Sequence, residues 1–538
     1  MAGLFGLSAA PAAACRVLEL GCGDGGNLLS LAQALPGARF LGVDASPGAI
    51  ARGNELAAAA GLENVELRHG DIERLPERLG GFDSGPVGGQ SAVGRGQTAG
   101  GFDYVIAHGV YSWIPPAARG ALLRCCRRLL NPAGVAYVSY NAYPGSYLRD
   151  MTRDILLYHL RGVEDPHDRL ARAQELMRTI VAIETPSPHA QALREQLQRM
   201  LGFSDALLLH DDLATISTPF YLHEFVEHAA GHGLRFLSEA ELADSQIRDV
   251  PPSAAALMAS LPDDAVVREQ YLDFFRNRMF RQTLLCHAEV AVRRQLDEGL
   301  LERLAISSSA RPVAGEDGGG GGEAVGRSEP DGRGEAVGRG EPAEPQETAE
   351  SGETFATPEG YSLSTSEPHV AAAMNALARA WPRALDFQTV LDAARRAAGP
   401  GVAAEAVATR VRDVLLQAHL ARIVQLHSCP PPVVAQPGER PRASPLARAQ
   451  QAAGRPVVSS LLHANVRLDG DLERRLLGLL DGTRDRAELL AALEGRAASG
   501  ADPSGEATPG AAAPGATATA SELDDALAHL VTVGLLAA

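Results

Sequence analysis

The sequence predicts an α/β chain built on a doubly wound parallel sheet, followed by smaller α+β units. Three observations predict it. Between residues 16 and 140, short apolar runs alternate with stretches of helical periodicity, the pattern of a parallel sheet covered on both faces by helices. The first run ends in a glycine-rich turn that leads straight into a helical stretch. Two later β-like runs, Leu234–Leu237 and Arg281–His287, can complete the same sheet.

The first region, 1–145, holds apolar runs at Arg16–Leu20, Arg39–Val43, Val65–Arg68, Tyr104–Ala107 and Val135–Ser139. Helical stretches between them include Asn27–Leu35, Pro47–Ala60 and Pro116–Leu130. Residues 84–100 have no apolar periodicity and lie between two copies of Gly-Phe-Asp, at 81–83 and 101–103. Only the second copy enters an apolar run, so 84–100 reads as an inserted surface loop. Its Ala-Val-Gly-Arg at 92–95 recurs at 324–327 and 336–339, as expanded low-complexity sequence does.

Residues 146–215 read as a helical insertion, with helices at Leu148–Leu160, Asp168–Ile183 and His189–Leu201. Residues 216–305 supply a helix at Leu222–His232, a second at Asp264–Phe280, and the two strands that complete the sheet. The stretch 306–355 is Ser, Gly, Glu and Pro with few large apolar groups, and reads as a disordered linker. A domain at 356–429 is helical to about Leu420 and β-like at Ala421–Leu426. A Pro-rich linker, 430–456, precedes a last domain at 457–538 with helices at Asp471–Leu480, Arg486–Leu493 and Glu522–Val533. That domain is interrupted by a Gly/Ala/Pro/Thr insertion at 497–520.

Composition excludes several chemistries. All 49 basic residues are arginine, against 66 acidic residues, for a net charge of −17. Without lysine there is no Schiff-base enzyme, no Walker A loop and no kinase lysine to grip ATP. The acidic balance argues against a nucleic-acid coat. Six cysteines form no CxxC pair and are too sparse for a disulfide scaffold, which fits a reducing cytoplasm. No apolar run reaches the ~18 residues of a membrane span. The opening MAGLFGLSAAPAAAC lacks the basic start of a secretion signal.

Val17-Leu18-Glu19-Leu20-Gly21-Cys22-Gly23-Asp24-Gly25-Gly26-Asn27 carries the strongest signal. Gly21 and Gly23 let a ligand approach the backbone where φ is positive. Asp44 ends the second strand, 23 residues after Gly21, where a carboxylate can accept from ribose hydroxyls. Both features suit either a methyl donor or a dinucleotide. Asp71 follows the third strand, placed to accept from an adenine amino group with Ile72 packing on the ring. His108 follows the fourth. Acid-bearing ends on three consecutive strands, with Glu19, Asp44 and Asp71, favour the methyl donor S-adenosylmethionine (SAM).

The whole stretch resembles class I SAM-dependent methyltransferases. In that resemblance Glu19 supports the donor's amino-acid end, and Cys22 and His108 also border the donor. The similarity narrows at Ile106-Ala107-His108-Gly109-Val110-Tyr111-Ser112-Trp113-Ile114-Pro115, Tyr137-Val138-Ser139-Tyr140-Asn141, Leu209-His210-Asp211-Asp212-Leu213, Tyr221-Leu222-His223-Glu224-Phe225 and Tyr271-Leu272-Asp273-Phe274-Phe275-Arg276-Asn277-Arg278. These look like bacterial methyltransferases with a methyltransferase regulatory domain, a group similar to protein-lysine methyltransferases acting on surface proteins. The resemblance covers about 15–305 well and 356–538 more loosely. It implies a Rossmann-like sheet with winged-helix-like C-terminal domains, and SAM as cofactor. It also implies a segment before the first strand that helps close the site; this chain departs there, since its strand follows at Arg16.

On the acceptor side, Tyr111, Trp113, Tyr140 and Tyr143 are expected to form an aromatic wall for an amine, through cation–π contact. His108 or Asn141 would orient the nucleophile, and His108 would take its proton. A protein lysine is the expected acceptor, with a small molecule as alternative. A third reading is a non-enzymatic regulator using its winged helices on protein or DNA, with Arg474, Arg475, Arg484 and Arg486 as phosphate contacts. Nucleic acid is not the expected partner, and a homodimer stays open. No metal site is expected: His223 and His228 are five apart, so on a helix they point about 140° apart. Cys125-Cys126 reads as core.

Overall fold

The computed structural model describes residues 1–75, 101–184, 187–245, 251–294, 298–313, 352–499 and 518–538. The expected loop at 84–100, the middle of the expected linker and the core of the last insertion lie outside these residues. The central sheet has seven strands: β1 (Arg16–Leu20), β2 (Arg39–Asp44), β3 (Val65–His69), β4 (Phe102–Ala107), β5 (Leu130–Asn141), β6 (Leu234–Glu239) and β7 (Phe280–His287). Their order is β3-β2-β1-β4-β5-β7-β6. The first five pair in parallel; β7 runs antiparallel between β5 and β6. The six-strand dinucleotide-binding order has no such antiparallel strand.

Local chemistry explains the crossings. Helix Gly26–Ala34 follows Gly25 in the left-handed region. Helix Pro47–Ala59 starts with Pro at its first turn, and Ser46 Oγ caps it by accepting from Ala49 N. Helix Pro116–Leu129 buries one face, including Cys125 and Cys126, against β4 and β5. The insertion forms helices Ser146–His159, Pro166–Ala182 and Pro188–Met200 around a small core of its own, with Leu156, Met177 and Leu197 fully buried. Leu4, Phe5 and Leu7 pack on β6 and β7 beside Leu416 and Leu420.

Two expected linkers are shorter than the sequence suggested. Ala305–Ser307, Arg311–Val313 and Glu353–Ala356 are strands, although they fall at the ends of the expected disordered segment. Each pairs with a partner that sequence periodicity could not supply: Ala305–Ser307 with Leu385–Asp386 and Gln425–His427, and Arg311–Val313 with Glu353–Ala356. They close a domain whose core holds Ile306, Phe355, Leu377, Val390 and Val411. The Pro-rich stretch 430–456 is likewise part of the last domain. It forms helix Pro445–Ala452, and Ala443 bridges Leu536. The hairpin Val457–Ser459/Asn465–Arg467 completes that domain's α+β character.

A buried charge cluster anchors the antiparallel strand. Arg281, 1 % exposed, donates to Asp273 at 2.8 and 2.9 Å, to Glu239 at 2.6 Å and to Glu269 at 3.0 Å. Burial alone would push the Glu239 carboxyl up, but Arg281 and Arg278 hold it below its ordinary value. Glu239 also accepts from Thr283 Oγ1 and Gln282 N, so the cluster ties β6 to β7 by side chain as well as backbone. Removing Arg281 takes the closest cation from three buried carboxylates and leaves only Arg278, at 3.3 Å from Asp273 and 3.7 Å from Glu239. Arg281→Ala is expected to cost about 3–5 kcal/mol in a denaturant titration. Arg486→Ala, which breaks an exposed pair with Asp524, is expected to cost at most about 1 kcal/mol.

Candidate active site

The strand order reverses at β1, with β2 on one side and β4 on the other. Ligands of open α/β sheets bind outside the strand carboxyl ends at such a point. The glycine turn after β1 lies there. Gly21 has φ +73°, and a Cβ on it would run into Val110 in the turn after β4. Gly23 has φ +58° with nothing within 4 Å of a Cβ, which leaves its backbone open to a ligand.

Glu19 sits near the end of β1 and is 3 % exposed. Its Oε1 accepts from Asn27 Nδ2 at 3.1 Å, and its Oε2 is buried with no protein partner. Burial raises its carboxyl to about 7, against the Asn27 bond, which lowers it. An orphaned buried carboxylate oxygen beside an open glycine turn suits a ligand that brings a cation or a donor. At the end of β2, Asp44 accepts from Gly23 N at 2.9 Å and from Ser46 N at 2.7 Å. Exposed Asp71 caps the turn Ile72–Arg74 by accepting from Glu73 N, and Ile72 packs partly on the core. The Cys22 side chain packs with Leu28, Phe40 and Leu67, which leaves its backbone to border a ligand.

The turn after β4 is a wall shared by this crevice and a second space. Val110 faces Gly21 on one side, while His108, Gly109 and Trp113 line a cavity of about 1000 Å³ on the other. His108 Nδ1 bonds to Tyr137 Oη at 2.9 Å and to Ser139 Oγ at 3.1 Å, which sets its ring. Asn141, 6 % exposed, also lines the cavity, and its Nδ2 has no protein partner.

The expected aromatic wall is corrected. Tyr111 and Tyr140 are buried, at 0 % and 1 % exposure. Their rings pack with Phe220 and Phe225, and their hydroxyls are taken by His228 and Thr283. Burial pushes both phenols up. Sequence could not separate them from Trp113, because which face each residue of the short 3-10 turn Tyr111–Trp113 presents is fixed only by the turn geometry. Tyr143 stacks on Tyr147 at 4.2 Å and donates to Asp150, outside the cavity lining. Trp113 alone of the four lines the cavity, with the Arg149 guanidinium 6.0 Å from its ring.

Sequence reasoning missed the residues that close the cavity. Arg149, on helix Ser146–His159, pairs with Asp212 at 2.8 Å and Asp211 at 3.4 Å. From the domain after the sheet come Tyr361, His419, Arg422 and His427, and Arg422 reaches Asp244 at 2.5 Å. Of these only the His210-Asp211-Asp212 motif gave a signal, and nothing in it named a partner.

Three family models match the chain: a methyltransferase domain over residues 18–136, a "predicted methyltransferase regulatory domain" over 204–287, and a "PKMT, C-terminal winged helix domain" over 439–535. Two relatives are from Rickettsia prowazekii. The uncharacterized protein RP028 is 33% identical over 42% of this chain and 83% of its own length. The uncharacterized protein RP789 is 32% identical over 58% of this chain and 53% of its own, so the chain spans about half of that relative. Protein RP028 matches over enough of its length to settle kinship. The chain belongs to the methyltransferases that carry this regulatory domain. The structure of PKMT2 from Rickettsia typhi in complex with AdoHcy superposes on this methyltransferase with a TM-score of 0.77, at 24% identity, covering 99% of this chain and 96% of that one. That likeness extends the fold agreement across the sheet, the insertion and both later domains.

A cation paired with Glu19 needs its carboxyl ionised. SAM affinity of the methyltransferase is therefore expected to fall as pH drops through about 7, by up to about tenfold per unit below it. Calorimetric titration across that range measures this, and Glu19→Gln is expected to bind weakly with no such slope.

Proposed function

We propose that this methyltransferase moves a methyl group from SAM to the side-chain amine of a protein lysine. The observation that carries the reading is the shared wall: one turn, 108–110, packs through Val110 on the glycine turn that follows Glu19 and lines a polar cavity with His108 and Gly109. A methyl donor in the crevice and an acceptor in the cavity would meet across it.

SAM supplies an activated methyl on a sulfonium cation, and the protein's task is alignment and exclusion of water. Glu19 would hold the donor's ammonium, Asp44 the ribose hydroxyls, Asp71 the adenine amino group with Ile72 against the ring, and the Gly21–Gly23 backbone the donor's remaining edge. In the cavity, Trp113 offers a π face to a cationic amine. Asn141 would orient the nitrogen. His108, its ring set by Tyr137 and Ser139, would take the proton that the amine sheds.

Support for a protein acceptor comes from the cavity's size and its walls from three parts of the chain, and from the family's PKMT-type winged helix. Against the DNA-binding alternative, the arginines that would touch phosphate are engaged at home. Arg475 bonds the Leu493 carbonyl, Arg484 bonds Asp481, and Arg486 pairs with Asp524. No described helix is long and apolar enough to cross a membrane. Six cysteines without a disulfide support a cytoplasmic site of action.

Labelled SAM incubated with the chain and a bacterial lysate tests the reading. Label is expected in lysine of other proteins and not in side chains of this chain, which has no lysine. Label confined to small molecules, or fixed internally on this chain, contradicts it. His108→Ala is expected to lower kcat by about 100-fold or more.

A further inference from the structure

The last domain docks beside the glycine turn rather than standing apart from it. Arg455 follows helix Pro445–Ala452, and its backbone N donates to the Gln450 carbonyl at 3.0 Å. Its Nη2 reaches Asp24 Oδ2 at 2.6 Å, across 431 positions of sequence. Asp24 lies between Gly23 and Gly25, and is the charged side chain on a turn whose glycines at 21, 23 and 25 all have positive φ.

Other contacts fix the docking. Gln33 Oε1, on the helix that leaves the turn, accepts from Ser444 Oγ at 2.8 Å and from Leu446 N at 2.9 Å. Leu446 is fully buried among Leu29, Leu56, Ala57 and Ala60, on the two helices that flank the turn. Gly53 of the second helix lies so close under the turn that a Cβ there would strike the Asp24 carbonyl. The turn is thus held from below by Gly53 and from the side by Arg455. Glycines carry the largest conformational entropy to lose, so an external tie on their one charged neighbour has leverage on the turn's shape.

We propose that Arg455 is a positioning residue for the methyl donor: through Asp24, the C-terminal domain holds the glycine turn in its donor-binding form. The donor's identity rests on the function proposed above; the hold on the turn does not. A partner or modification that undocked this domain would therefore weaken donor binding without touching the crevice itself.

Hydrogen exchange of the 21–27 amides in the ligand-free full chain, together with calorimetric SAM binding, tests this. Arg455→Ala is expected to speed exchange of those amides and to raise the SAM Kd about fivefold, the worth of one partly buried ion pair, with KM rising more than kcat falls. Arg455→Lys is expected to recover most of both. Arg486→Ala, which breaks a different ion pair of the same domain, is expected to match the wild type in both. Unchanged exchange in Arg455→Ala, or equal change in Arg486→Ala, overturns the proposal. If the wild type binds no SAM while Arg455→Ala still loosens the turn, the donor reading falls and the positioning role stands.

Discussion

A carboxylate kept from water at the centre of a sheet is expensive unless something pairs with it. Glu19 is such a group, and its cost organises the site around it. The protein gives one oxygen to Asn27 and leaves the other unsatisfied. The β4 turn and the C-terminal domain both bear on the glycine turn that follows Glu19. Gly21 allows the β4 turn to close in through Val110. Arg455 holds the turn from outside. Burial raises the Glu19 carboxyl to about 7, so a cation placed beside it would favour the ionised form.

The second dependence is the antiparallel β7. It carries Met279 and Phe280 to the cavity from its leading end, opposite Asn141 of β5. Arg281, next in sequence, locks that placement with three carboxylates. The cavity thus depends on a strand contributed by the regulatory region, and on walls from the domain after it. Fold and cavity are not separable: the sheet is complete only when residues beyond 230 return to it.

Sequence made the parallel half of the sheet legible because each strand there is a continuous apolar run bounded by turn residues. The positions of Asp44 at the end of the second strand and Asp71 after the third are equally legible, while Glu19 is singled out through the family resemblance. What it could not show was long-range. Tyr111 and Tyr140 look like wall residues until Phe220 and Phe225, far along the chain, are seen to cover them. Ala305–Ser307 looks like linker until Gln425–His427 pairs with it. Arg455 and Asp24 carry no mark of each other at all. Local patterns fix elements; pairings across hundreds of residues need the fold.

The central claim is that Glu19 pairs with the cationic donor, and proton linkage measures it most directly. SAM binding followed calorimetrically at pH 7, in buffers of differing ionisation enthalpy, is predicted to release about half a proton per site, because binding drives a carboxyl poised near 7 to its ionised form. The release is predicted to vanish in Glu19→Gln. Binding with no proton release, or with the same release in Glu19→Gln, would contradict the account.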